Sequence, residues 1–156
     1  MTDPSDTTVP IARLLAMAYR QLMDDLHAQL RARGWDDVRP AFGFVLLAAR
    51  SDPTTAGGIA ELMGTTKQAA SKLLGAMEAA GYVHRSASAR DARRREVELS
   101  SRGRRLLAAV EEIYAELEGE WAEVLGDRQL DRFRTDLTRV VVHRHDGSLP
   151  PVRPTW

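Results

Sequence analysis

Four glycines, Gly34, Gly64, Gly81 and Gly126, each stand at the end of a segment patterned for an α-helix. Lacking a Cβ, glycine takes up the left-handed backbone that closes a helix at little cost. Before Gly34, Ile11, Leu14, Leu15, Ala18, Leu22, Leu26 and Leu30 recur at three- and four-residue steps. That spacing makes one apolar stripe on a helix of about six turns. Before Gly64 lies the short helical segment Ile59–Met63. Before Gly81, Ala70, Leu73, Leu74 and Met77 fall on one side, and Lys67, Gln68, Ser71 and Lys72 on the other. Before Gly126 the stripe is Leu106, Val110, Ile113, Leu117, Trp121 and Val124.

Two more helices complete the pattern. Pro40 suits the first turn of one that runs to about Arg50. Its Phe42, Phe44, Val45, Leu46 and Leu47 predict burial nearly all round. After Gly126, Asp127 is expected to cap a last helix that turns Leu130, Phe133, Leu137, Val140 and Val141 inward. Thr65 or Thr66, and Ser100 or Ser101, are candidate caps of the helices that follow them. Ser51 to Gly58 reads as a turn. Tyr82–Arg85 and Glu96–Leu99 read as two strands joined by the Arg-rich stretch Ser86–Arg95. The expected fold is mainly α with one small β-hairpin whose tip is basic.

Charge is unevenly placed. The chain has 22 basic and 22 acidic residues. Gly64 to Arg105 holds ten Lys/Arg against four acids, a net of +6, so the remainder carries −6. A basic segment in a neutral chain suits a polyanion. Charge alone does not separate that from a solvated basic face. The chain has no cysteine, which excludes disulfides, thiol redox sensing and cysteine-held metals. Its longest apolar run, Phe42 to Ala49, is too short to span a bilayer. The first ten residues lack a basic stretch, so no secretory signal and a cytoplasmic location are expected.

The short segment before Gly64 and the capped helix after it form a helix-turn-helix pattern. A first helix braces a second, which must reach base edges with its early turns in a groove about 12 Å wide. Thr65, Thr66, Lys67, Gln68, Ala69, Ser71 and Lys72 occupy those turns. Lysine donates to guanine acceptors, glutamine pairs with adenine, alanine touches a thymine methyl, and the helix start suits a phosphate. The same residues also suit an ordinary polar helix face. At the hairpin tip, Arg90, Arg93 and Arg94 surround Asp91. An arginine on a narrow ribbon can enter a minor groove. A carboxylate two residues away can hold its guanidinium in a fixed fork, or it can simply start a turn.

Asp91-Ala92-Arg93, then five residues, then Leu99-Ser100 resembles the wing signature D-x-R-x5-L-T of the multiple-antibiotic-resistance regulator (MarR) family, with Ser for Thr, and Gly103 follows in place. Ile59 to Gly64 resembles the family's LAExLG, Thr66 to Leu73 its SKQAVSRL, and Glu78 to Tyr82 its LExxGxV stretch. The likeness covers about residues 10 to 142. Two departures stand out: Val38-Arg39-Pro40 replaces Leu-Thr-Pro, and Gly57-Gly58 opens the third helix. The resemblance implies a winged helix-turn-helix fold and a homodimer on double-stranded DNA. It implies that Thr66, Lys67, Gln68, Ser71 and Lys72 meet DNA from the helix, and Arg93, oriented by Asp91, from the wing.

On this reading residues 1–8 are a disordered start and 9–142 form the domain. Within it, 35–100 is the DNA-binding lobe, 9–34 and 101–142 are dimerisation helices, and 143–156 is a flexible tail. No cofactor is expected. Relatives are often released by a small aromatic or anionic effector between the dimer helices and the lobe. Tyr19, Arg20, Trp35, Phe42 and Tyr114 are the candidate lining, although such aromatics are more often simply core. His27 and His84 are isolated and His143 and His145 lie in the tail, which disfavours metal sensing. No phosphate loop, nucleophile elbow or zinc-protease motif points to an enzyme. A winged-helix module that binds only proteins needs no basic wing, and Gly64 to Met77 contains no acid.

Overall fold

The computed structural model describes residues 8–88, 93 and 95–150. The elements run α1 (Ile11–Ala32), α2 (Phe42–Ala48), α3 (Ala56–Met63), α4 (Lys67–Ala79), β1 (Val83–Ala87), β2 (Arg95–Leu99), α5 (Ser101–Leu125) and α6 (Asp127–Val142). The two strands pair antiparallel, Val83 opposite Leu99 and Ala87 opposite Arg95. Among the described residues, no helix is long and apolar enough to cross a membrane.

Three helix ends share one geometry. The N–H groups of Trp35, Thr65 and Tyr82 donate back to the carbonyls of Leu30, Ala60 and Met77 at 2.9, 2.9 and 2.8 Å. The residue before each is a glycine with positive φ: Gly34 at 84°, Gly64 at 61° and Gly81 at 77°. This Schellman closure satisfies carbonyls the helix leaves unpaired, and it fixes the direction in which the chain departs.

Several expectations need correction. Pro40 lies in the turn before α2, where the Arg39 and Pro40 carbonyls accept from Phe42 and Gly43. The helix is therefore shorter at both ends than expected, and its Leu47 faces out. Helix α3 starts at Ala56, because the Thr55 hydroxyl accepts the Gly58 N–H at 3.0 Å. The stretch read as a turn also holds a bridge. Thr54 and Val97 exchange both backbone hydrogen bonds, at 3.0 and 2.7 Å, and so add a one-residue edge to the hairpin. Tyr82 precedes the strand instead of starting it. Gly126, not Asp127, is the residue before α6, and Asp127 sits in its first turn without a side-chain capping bond.

The core is one cluster. Leu26 and Leu30 of α1, Phe42, Val45 and Leu46 of α2, Ile59 of α3, and Leu74 and Met77 of α4 meet there. Tyr82, Val97, Leu99 and Leu106, Ile113 and Leu117 of α5 complete it. Gly103 makes the closest approach, since a Cβ there would stand 2.0 Å from the Tyr82 carbonyl oxygen. The inward stripe expected on α6 is seen only in part: Leu137 is half-buried and Phe133 packs on Trp121 of α5 at 6.2 Å between ring centroids. Only Leu130 of α6 is buried, and Val140 is 71% exposed. Likewise Ile11, Leu14 and Leu15 of α1 and Val124 of α5 lie on the surface of the single chain.

Candidate nucleic-acid interface

The first turn of α4 is built by Thr66. Its extended backbone places the hydroxyl to accept the Ala69 N–H at 3.1 Å. Ala70, Leu74 and Met77 anchor the other side of the helix in the core. That anchoring leaves Thr65, Thr66, Lys67, Gln68, Ala69 and Lys72 exposed on one continuous face, with Ser71 half-buried beside them.

Electrostatics favour this face and the neighbouring hairpin. Glu78, the one acid of α4, accepts the Arg85 Nε at 3.1 Å. Glu98 lies 3.2 Å from His84 Nε2 across the strands. Glu96 accepts the Ser88 hydroxyl at 2.6 Å. Thus each described acid of the basic segment is engaged within it. Among the described residues Lys67 and Lys72 are in no ion pair. Their charge remains available to an anion.

Arg93 is exposed at the hairpin tip. Arg90, Asp91 and Arg94 lie outside the described residues, so the expected fork between Asp91 and Arg93 does too. The hairpin is tied to α4 through the middle of β1. Arg85 spans to Glu78, and its guanidinium lies 3.7 Å from where a Cβ at Gly75 would be.

Residues 39–94, from the turn before α2 to the hairpin tip, match the model of the MarR family. This lobe is similar to the MarR family. No curated protein matches the chain in sequence. Solved structures match over more of it. The MepR–DNA complex of Staphylococcus aureus is 22% identical, covers 88% of this chain and 100% of its own, and has a TM-score of 0.68. MepR bound to ethidium bromide is 22% identical over 88% and 98%, with a TM-score of 0.59. The transcriptional regulator Tm0710 from Thermotoga maritima is 21% identical over 89% and 98%, with a TM-score of 0.65. The shared property is the fold: a winged helix-turn-helix lobe with long flanking helices.

Beside this lobe, α1, α2 and α5 line a half-open cavity of about 310 Å³. Tyr19, Met23, Phe44, Leu47, Val110 and Tyr114 give it an apolar lining, and Arg50 and Glu111 stand at it as an ion pair of 2.8 Å. Burial pushes the Tyr114 phenol up, and nearby Tyr19 adds to this. Of the five residues singled out in the sequence, Tyr19 and Tyr114 line this cavity. Phe42 and Trp35 pack on Tyr82 instead, at 5.9 and 6.1 Å between ring centroids, and Arg20 points to solvent. The sequence reading also passed over Arg102 and Asp37, which meet at that same Tyr82. Their signal was a glycine–aromatic pair after each of two helices, Gly34-Trp35 and Gly81-Tyr82.

Proposed function

We propose that the chain is a homodimeric, DNA-binding transcriptional regulator of the cytoplasm, and that it represses its targets until a small molecule releases it. Residues 35–100 are the DNA-binding lobe, and 9–34 with 101–142 pair two copies. One observation carries the reading: a Thr66-capped helix presents unpaired Lys67 and Lys72 beside a hairpin whose described acids are all engaged. Thr66, Lys67, Gln68, Ser71 and Lys72 enter the major groove, and the wing arginines, Arg93 foremost, reach the flanking minor groove. Two lobes about 34 Å apart read a pseudo-palindrome. The crystallised complex of MepR with DNA supports this use of the fold. The exposed stripes of α1 and α6 support the homodimer.

Release rests on the cavity of Tyr19 and Tyr114. It lies between helices of the two parts, so an occupant biases how they sit together. The ethidium complex of MepR is a precedent in the fold. The test is anisotropy on DNA from upstream of the chain's own gene, over a salt series, with wild type, Lys67→Ala and Arg93→Ala. Sequence-selective binding with a steep negative salt slope, weakened by both substitutions, is expected. If a selection from whole-genome fragments also yields nothing better than random duplex, DNA binding is wrong, and a protein-binding winged helix takes its place.

A further inference from the structure

Arg102 lies in the first turn of α5 and is not among the residues proposed to meet DNA. Its guanidinium carbon stands 4.9 Å from the Tyr82 ring centroid and 5.6 Å from that of Trp35. The two rings are neighbours, so the guanidinium covers the seam between them. One of its nitrogens donates to Asp37 at 3.4 Å and to the Tyr82 hydroxyl at 3.3 Å. The Tyr82 hydroxyl in turn donates to Asp37.

The origins of these residues give the cluster its meaning. Trp35 is locked to the end of α1 by its bond to Leu30, and Tyr82 to the end of α4 by its bond to Met77. Each follows a left-handed glycine, so the backbone that carries each ring is fixed to a helix end. The start of α5 is fixed to the same place. Ser100 N–H donates to the Tyr82 carbonyl at 3.0 Å, and the Ser100 hydroxyl donates to the Gly81 carbonyl. The ends of α1 and α4 and the beginning of α5 therefore meet at one side chain.

We propose that Arg102 is a positioning residue that sets the orientation of the recognition helix relative to the dimerisation helices, and with it the half-site spacing the dimer accepts. This rests on the DNA-binding homodimer proposed above. A lobe reading one half-site needs no particular orientation towards α1. Two lobes reading both half-sites at once do, because their helices must fit two grooves simultaneously. Loss of Arg102 thus lowers affinity for a full site and leaves affinity for a half-site alone.

The experiment uses the full chain and a duplex that it selects from a random-sequence pool, with the same duplex scrambled in one half. Arg102→Ala is expected to lose about tenfold on the full site, from a lost stacked cation and its hydrogen bonds. The scrambled duplex should be bound unchanged, and the salt slope should stay that of wild type, since no phosphate contact is removed. Arg102→Lys, which keeps the charge but not the planar fork, should recover part of the loss. Asp37→Asn should fall in the same direction and by less. Equal loss on both duplexes, a reduced salt slope, or no loss on the full site overturns the proposal while the DNA reading stands. A pool that yields no enriched duplex overturns the DNA reading, and the role of Arg102 falls with it.

Discussion

The inner and outer halves of the helices obey different rules. At their inner ends α1 and α5 bring Leu26, Leu30, Leu106, Ile113 and Leu117 into the same core as the helix-turn-helix, all nearly inaccessible. At their outer ends the same stripes carry on at the same spacing, yet Ile11 is 74% and Val124 is 84% exposed. The sequence pattern does not change along either helix; only the neighbour does. A stripe is a demand for burial, and within one chain that demand is met at one end alone.

The largest expected effect comes from putting charge on the outer end. Leu14→Glu with Val140→Glu should weaken self-association at least about a hundredfold, read by sedimentation, because four apolar side chains per dimer lose their burial. The inner core should remain, with near-UV circular dichroism and cooperative unfolding retained. If the variant unfolds, these stripes serve the single chain and the contrast is false.

One substitution made twice on α5 sharpens it. Gly103→Ala drives a Cβ into the Tyr82 carbonyl oxygen, backbone that cannot yield without moving the end of α4. A loss of about 3 kcal/mol by denaturant unfolding is expected. Gly119→Ala, sixteen residues further along the same helix, meets nothing within 4 Å. There the gain in helix propensity, up to about 1 kcal/mol, should appear. Opposite signs support the division. Two losses would mean that the outer half is packed as closely as the inner.

The same division explains what the sequence made legible. Caps and stops were readable because their chemistry is local: Thr66 and Ser100 accept from residues three ahead, and Gly64 and Gly81 need only their own φ. The Thr54–Val97 bridge was not, since nothing in Thr54 itself points to a partner more than forty residues away. The α6 stripe was visible as a stripe, but periodicity does not say which molecule it packs on. The aromatic residues divide for the same reason. A ring on a stripe can end against a core tyrosine, as Trp35 and Phe42 do, or at a cavity, as Tyr19 and Tyr114 do. For the recognition face the residue types were legible. That the acids of the basic segment around it are taken up, Glu78 by Arg85 and Glu98 by His84, required the folded chain.

The smallest effect expected concerns His27, half-buried near the inner end of α1. Burial lowers its pKa below the ordinary 6.5, Arg31 one turn on lowers it further, and Asp24 opposes both. As pH falls through 6.5, the unfolded chain takes up a proton that the folded chain resists. Stability from the neutral ring is therefore held above 6.5 and is lost as pH falls towards the lower folded value. His27→Gln should remove this term. The stability difference between variant and wild type should then shift in the variant's favour as pH drops from 7.5 to 5.5, with carboxylate titrations cancelling between the two. A difference that stays flat would place His27 in water, on the outer side of the boundary, although its neighbour Leu26 lies in the core.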